Sequence, residues 1–372
     1  MDTVLCVDIG TTSLKAGLIT ASGEVVSVSS YKFLSQNNRY IATRWLDGLK
    51  NAFEKLCRQF CGEIKILALS ISGNGPTVVF KNGLTSLWNE ATGIARERTA
   101  PSLFMPNILF LKENYPEEFE QSRFIFSGPE YLIYQLTGNA ITILPDSRFV
   151  PAYWNDKVLS HEGIDSKKMP PFMGIGQCFG RVSSERMKEL GLDKFADEES
   201  DGMPVFGAGP DFVAALIGTG TLHAGQICDR SGSSEGFNFC VPSYVEYEGV
   251  RTLPSVIPDL WNVSVLIPTS SKIEPEKRLE LIKNSVERLK ELAEKNGFSF
   301  PKKITATGGQ TRDSAYMKKK ARVLGIDLAV CECSDSELLG DACAAWYGLG
   351  KFGSLQEAAQ NIVKEGRVYE SL

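Results

Sequence analysis

Val4, Leu5, Cys6 and Val7 form a short, almost wholly apolar run, the pattern of a strand buried on both faces, and Asp8 ends it with a carboxylate. Gly10, Thr11 and Thr12 make a turn. A second strand over 13–19 and a third over 24–30 complete an antiparallel meander. Ile41, Trp45, Leu49, Phe53, Leu56 and Phe60 then recur at three- and four-residue steps, which predicts a helix over 40–61. An apolar strand over 64–72 runs into the loop Ser72-Gly73-Asn74-Gly75-Pro76-Thr77, and 77–80 is a further strand. Strands alternating with helices are an α/β pattern.

The middle of the chain is less regular. Arg96, Glu97 and Arg98 read as a solvated helical face, and prolines start short helices over 106–114 and 116–121. A helix over 130–137 is closed by Gly138. The glycine run over 174–180 has the wrong spacing for a dinucleotide fingerprint and no helix at once behind it. In VFGAGPDFVAALI, residues 205–217, a strand meets a glycine turn and Asp211 opens an apolar helix. A strand over 226–230 leads into Ser231-Gly232-Ser233-Ser234-Glu235-Gly236, a second hairpin rich in glycine and hydroxyls. Beyond it, strands over 261–267, 304–309 and 328–330 alternate with helices over 273–296, 313–324, 336–350 and 354–364.

Composition narrows the picture. At 372 residues two domains are expected, and 43% hydrophobic with 23% charged residues is globular. A net charge of -5 argues against nucleic acid or an anionic membrane as partner, so a polyanionic ligand must be held locally. No apolar run approaches the ~18 residues of a membrane span. No secretory signal is visible, and nine scattered cysteines suit reduced thiols in the cytoplasm. Cys331-Glu332-Cys333 has no second pair and no nearby histidine, so it is not expected to bind metal. Two histidines leave little material for a catalytic triad.

The first hairpin has the chemistry of a phosphate site. Gly10 lets the backbone approach a ligand, and the hydroxyls of Thr11, Thr12 and Ser13 can donate to phosphate oxygens. Asp8 would repel a polyphosphate directly but can hold it through Mg2+ or its waters. An ordinary polar hairpin explains the same residues. Asp211 is open in the same way: a carboxylate at a strand-to-helix junction caps the helix, or it is a base held at the rim of a cleft.

Taken together and in order, these segments resemble the FGGY carbohydrate kinases of the actin/hexokinase-like superfamily. VDIGTTSLKAGL resembles the family's first phosphate motif and ISGNGPTVVF its sugar-side loop. PEYLIYQLTG resembles the helix before its LTG turn, and PVFGAGPDFVAALIGTG the segment with its catalytic aspartate. SGSSEG stands at the second phosphate loop, and ITATGGQTRDSAYMKKKARVLGIDL with SELLGDACAAWYGLGKF at the adenosine-binding end.

The resemblance implies two ribonuclease-H-like α/β domains, 1–240 and a shortened 241–372, with a cleft between them that binds ATP and Mg2+ and a sugar or polyol. It makes Asp211 the general base, in contact with substrate, and Asp8 the Mg2+ carboxylate. Gly10, Thr11 and Thr12 would grip the phosphates from one side and Ser231, Gly232, Ser233 and Ser234 from the other. Lys15 either reaches the transferring phosphoryl group or is a strand-surface lysine. Gly308, Gly309, Gln310 and Asp313 would take the adenosine; Asn74, Trp88 and Glu90 the polyol. Gln310 replaces the family's third glycine, Lys318 and Arg322 stand where the family often has glutamine and aspartate, and the chain is short between Ile267 and Ile273. An alternative is a weakly active or inactive nucleotide-binding regulator on the same fold. The expected setting is the cytoplasm, and a homodimer is compatible with the sequence.

Overall fold

The opening meander forms as β1 (Asp2–Ile9), β2 (Ser13–Ile19) and β3 (Val25–Lys32). The structure is a computed structural model and describes residues 1–33, 39–59, 63–90, 99–195, 201–232 and 234–372. A 3-10 turn at Ile41–Arg44 leads into α1 (Trp45–Cys57), whose Trp45, Leu49, Phe53 and Leu56 are buried at the predicted spacing. Phe60 and the solvated face expected at 96–98 lie outside the described residues. α1 carries the chain to β4 (Lys65–Gly73), which pairs parallel to β1. α2 (Gly128–Thr137) carries Pro129 in its first turn and is capped by Gly138 with φ of 76°. It packs with α1 over Leu5, Val7, Leu14, Leu69 and Ile71. β5 (Gly180–Val182) and β6 (Met203–Pro210) complete a sheet ordered β5-β6-β4-β1-β2-β3. The glycine run over 174–180 links short strands, Phe172–Gly174 and β5, with no phosphate-binding helix after it.

Residues after β4 build an aromatic lobe. A small sheet of Val78–Phe80, Thr85–Ser86 and Ile125–Ser127 packs with helices Met105–Asn114 and Pro116–Gln121. Phe80, Phe104, Phe119, Phe149, Tyr153 and Trp154 fill its core.

α3 (Asp211–Gly218) follows β6 directly, and a second sheet begins with β7 (Ile227–Ser231). Its other strands are β8 (Glu235–Val241), β9 (Arg251–Pro254), β10 (Trp261–Ile267), β11 (Lys303–Thr307), β12 (Asp327–Cys331) and β13 (Glu365–Tyr369). The order is β9-β10-β8-β7-β11-β12-β13. It repeats the first sheet. β7, β8 and β10 are an antiparallel meander, β11 lies parallel to β7, and β12 lies parallel to β11. β1, β2, β3, β4 and β6 are related in the same way. Each half therefore presents its first hairpin at the same topological place. The β13 edge strand was not expected: four of its five residues are exposed and carry no apolar alternation.

α4 (Pro275–Asn296) and α5 (Ser314–Leu324) bury Leu279, Ile282, Leu289, Met317 and Ala321 against Phe237, Val263 and Ile304 of the second sheet. α6 (Ser336–Gly348), with α7 (Leu355–Ile362) beside it, returns to the first sheet and covers Val4, Cys6, Ala68 and Phe206. Its small residues permit this. A Cβ on Gly340 would collide with the carbonyl of Ala214, and one on Gly218 with that of Ser336, so α3 and α6 cross almost backbone to backbone. Buried Asp341 ties α6 to β4 and β6 of the first sheet. It accepts from Ser72 Oγ at 2.7 Å, Ser70 Oγ at 3.3 Å and the Ala208 amide at 3.3 Å. Burial pushes its carboxyl well above the usual carboxylate range, against those hydrogen bonds. No helix among the described residues is long and apolar enough to cross a membrane.

Candidate active site

The first hairpin turns at Gly10, whose amide donates to Ser13 O at 2.9 Å. The turn ties directly to the expected polyol residues. Thr11 Oγ1 accepts from Asn74 Nδ2 at 3.2 Å and from Trp88 Nε1 at 3.3 Å. Asn74 is fixed in turn by its amide, which donates to Ile9 O at 2.8 Å. Thr12 is exposed beside them. Glu90 sits in the same region, but its carboxylate takes the guanidinium of Arg39 and the Leu87 amide. Arg39, which the sequence did not single out, also lies 5.1 Å from the Phe110 ring centroid.

Behind the hairpin lies a cluster of charge. Asp8 is 6% exposed at the end of β1. Burial, and then the charge of Glu337, push its carboxyl up to about 8 against the pull of Lys15, with Asp211 and Asp335 adding to the rise. Lys15 lies 2.9 Å from Asp335 and 3.9 Å from Asp8. Burial pulls its ammonium down, but Asp8, Asp335 and Glu337 together hold it above the usual lysine range. It is a bridging cation, not a lysine loose on a strand surface. Asp211 is the first residue of α3 and makes no cap hydrogen bond. Its Oδ2 meets Arg230 Nη2 at 3.2 Å, across the two sheets. Burial opposes the charge of Arg230, yet Asp211 and then Glu337 hold it above its ordinary value.

The second hairpin is closed by the Gly232 amide, which donates to Ser234 O at 3.0 Å; Ser233 lies outside the described residues. Ser231 requires a correction. Its hydroxyl is fully buried, donates toward Asp229 and Glu235 at 3.1 Å each, and accepts from Lys320 Nζ at 2.8 Å. That hydroxyl is committed inward and is not offered to a phosphate. Lys320, also fully buried, pairs with both Asp229 and Glu235. Burial outweighs Lys320 at Asp229 and, with Glu235 beside it, pushes the carboxyl up to about 7. The Ser234 hydroxyl accepts from the Thr269 amide at 3.0 Å.

The glycines of the adenosine side lie against this hairpin. Gly308 has φ of 96°, and a Cβ there would sit 2.6 Å from Ser231 O, so both conformation and space demand glycine. A Cβ on Gly309 would meet open space. Gln310 Nε2 donates to Gly232 O at 2.6 Å, which joins the two turns, and its buried Oε1 has no partner among the described residues. Asp313 has a structural role as well. Its Oδ1 accepts from the amides of Ala315 and Tyr316 at 3.0 Å each, so it is the N-cap of α5, with the side chain exposed. Lys318 and Arg322 are exposed on that helix.

Among the described residues no three histidine, cysteine or acidic side chains are close enough to enclose a metal ion, and Cys331 and Cys333 are free thiols. The acidic set around Asp8 still fits a hydrated Mg2+. The charges of Glu337, Asp211 and Asp335 oppose the ionisation of Asp8, which a cation would relieve, and Mg2+ keeps several waters and needs few direct ligands.

No family model matches the chain. L-fuculokinase of Escherichia coli O157:H7 is 21% identical over 468 aligned positions, covering 99% of this chain and 97% of the relative. The alignment is longer than the 372-residue chain, so the relative carries segments without a counterpart here. Among solved structures, xylulose kinase from Lactobacillus acidophilus superposes with a TM-score of 0.77 at 16% identity, over 100% of this chain and 94% of that one. Plasmodium falciparum glycerol kinase with ADP gives a TM-score of 0.77 at 15% identity, over 100% and 94%. The chain has the FGGY carbohydrate-kinase fold. Within a carbohydrate-kinase fold, the repeated sheets bring Asp8, Lys15, Asp211, Asp335 and Glu337 to one place. Arg230, Asp335 and Glu337 were missed from sequence. One signal for Arg230 was available: it stands two residues ahead of Gly232, as Asp8 stands two ahead of Gly10.

Proposed function

We propose that the protein transfers the terminal phosphoryl group of ATP to a hydroxyl of a sugar, ketose or polyol. The observation that carries this reading is the contact of Asp211, at the start of α3, with Arg230 beside the second hairpin, while its charge also bears on Asp8 beside the first, the two hairpins standing at equivalent places in the repeated sheets. Phosphoryl transfer asks a protein mainly to position reactants and to balance charge. Asp211 accepts the proton of the attacking hydroxyl. Asp8 and its acidic neighbours hold Mg2+ through water, and the bound ion neutralises phosphate charge. Backbone amides around Gly10 and Gly232, with the hydroxyls of Thr11 and Thr12, hold the phosphates. Asn74 and Trp88 face the acceptor, and Gly308 and Gly309 leave room for the adenosine.

This reading divides the chain in the link between α3 and β7, ahead of residue 240, because β7 and β8 both belong to the second sheet. It places the protein in the cytoplasm with a small-molecule partner. The test is a panel of pentuloses, hexoses and polyols with ATP and Mg2+, read by ADP release. Acceptor-dependent release is expected for at least one class. Nucleotide binding without release on any acceptor would favour the regulator, a reading supported by the inward commitment of Ser231.

A further inference from the structure

The repeat of the two sheets puts an arginine where the first hairpin has an aspartate. Asp8 and Arg230 both stand two residues before the hairpin glycine, each near the end of a strand with an antiparallel partner on one side and a parallel partner on the other. Arg230 projects into the same acidic cluster and feels Asp211, Glu337 and Asp8. Its Nη2 is 3.2 Å from Asp211 Oδ2, and its Nε is buried without a partner among the described residues. Lys15, by contrast, is already engaged by Asp335 and Asp8.

The Asp211–Arg230 pair conflicts with a base held permanently in it. A guanidinium at that distance occupies the carboxylate oxygen that a base would turn to the attacking hydroxyl. The base is relieved if the cation has a better anion to turn to when the reactants arrive. A planar guanidinium with donors left over fits phosphoryl oxygens two at a time.

We propose that Arg230 is a catalytic residue that leaves Asp211 for the transferring phosphoryl group and carries its charge through the transfer. This rests on the kinase reading above. In the step, the acceptor oxygen bonds to the γ-phosphorus and its proton passes to the Asp211 carboxylate. The bond from the γ-phosphorus to the bridging oxygen breaks, and its electron pair leaves on the diphosphate. Arg230 balances the charge spread over the equatorial oxygens, a place where preorganised donors act most strongly.

The test compares wild type, Arg230→Ala and Arg230→Lys, each confirmed as folded by its heat-unfolding midpoint. With the best acceptor of the panel, Arg230→Ala should lose roughly 100- to 1000-fold in kcat while both KM values stay within about threefold. Arg230→Lys should recover part of the loss, and added guanidinium ion should partly rescue Arg230→Ala. A second readout needs no turnover: binding of ADP with Mg2+ and aluminium fluoride, a mimic of the phosphoryl in flight. Arg230→Ala should keep its affinity for ADP and lose the gain that aluminium fluoride gives wild type. Unchanged kcat, a change confined to the pH at which the rate rises, or equal loss for ADP with and without aluminium fluoride would overturn the role of Arg230. A wild type that releases no ADP and binds neither nucleotide state overturns the kinase reading itself.

Discussion

Trp88 donates its indole N–H to Thr11 Oγ1 at 3.3 Å, so the expected polyol side and the phosphate turn share one hydroxyl. Asn74 reaches the same oxygen at 3.2 Å. Thr11→Val keeps the shape and removes the acceptor for both donors. An unmade bond to a partly buried donor costs about 1–3 kcal/mol, enough for a five- to hundredfold effect. We expect Thr11→Val to raise KM for the acceptor by about tenfold and KM for ATP by much less, with Thr11→Ser near wild type. Steady-state kinetics in both substrates decides it; equal effects on the two would mean that the hydroxyl serves the phosphates alone.

Asp211→Asn tests the base. The substitution keeps size and polarity and removes the ability to take a proton. General-base catalysis is worth about 100- to 10,000-fold, so kcat should fall at least that far. Calorimetric titration with Mg-ATP should give nearly wild-type affinity. Substantial remaining turnover would remove Asp211 from the role, whatever its distance to Arg230.

The fold was legible where burial imposes a period on the sequence. Val4–Val7 reads as a strand because both faces are covered, by α1 and α2 on one side and α6 on the other, and the α1 stripe reads because one face is. The positions of Asp8 at a strand end and Asp211 at a helix start were legible for a similar reason: each is a carboxylate at a glycine-rich break in an apolar run. Side-chain direction was not. Ser231 resembles the exposed hydroxyls of the first hairpin, yet it points inward between Asp229 and Glu235 because it still belongs to β7. Asp211 and Asp313 present the same local pattern, and the structure separates them by long-range partners. Asp313 has free helix amides to cap, whereas Asp211 has Arg230 from another sheet. Lys320 lies 85 residues from Glu235, and no local spacing announces their pairing.

The Lys320 network predicts a large stability effect. Lys320→Met leaves Asp229 and Glu235 buried without their cation. Removing one partner of a buried ion pair typically costs about 3–5 kcal/mol. Urea unfolding should show a loss of that order, and combining Lys320→Met with Asp229→Asn and Glu235→Gln should recover much of it. A single variant as stable as wild type would mean that the network carries no net charge to balance.

Glu130 makes a prediction about pH. Its carboxyl is fully buried and accepts from the Ile143 amide at 2.8 Å and from the Ser127 hydroxyl. Burial outweighs those bonds and pushes it up to about 7. In the unfolded chain a glutamate titrates near about 4.3. Between these values the folded protein holds a proton that the unfolded chain has released, so stability falls as pH rises through the window and levels off above it. Asp8, Asp229 and Asp341 slope the same way, so the test is a difference. Glu130→Gln is neutral at every pH and removes this one contribution. Measured by urea unfolding, the variant should gain on wild type by on the order of 2–3 kcal/mol between pH 5 and pH 8. Parallel curves for the two proteins would show that Glu130 is ionised in the folded state throughout.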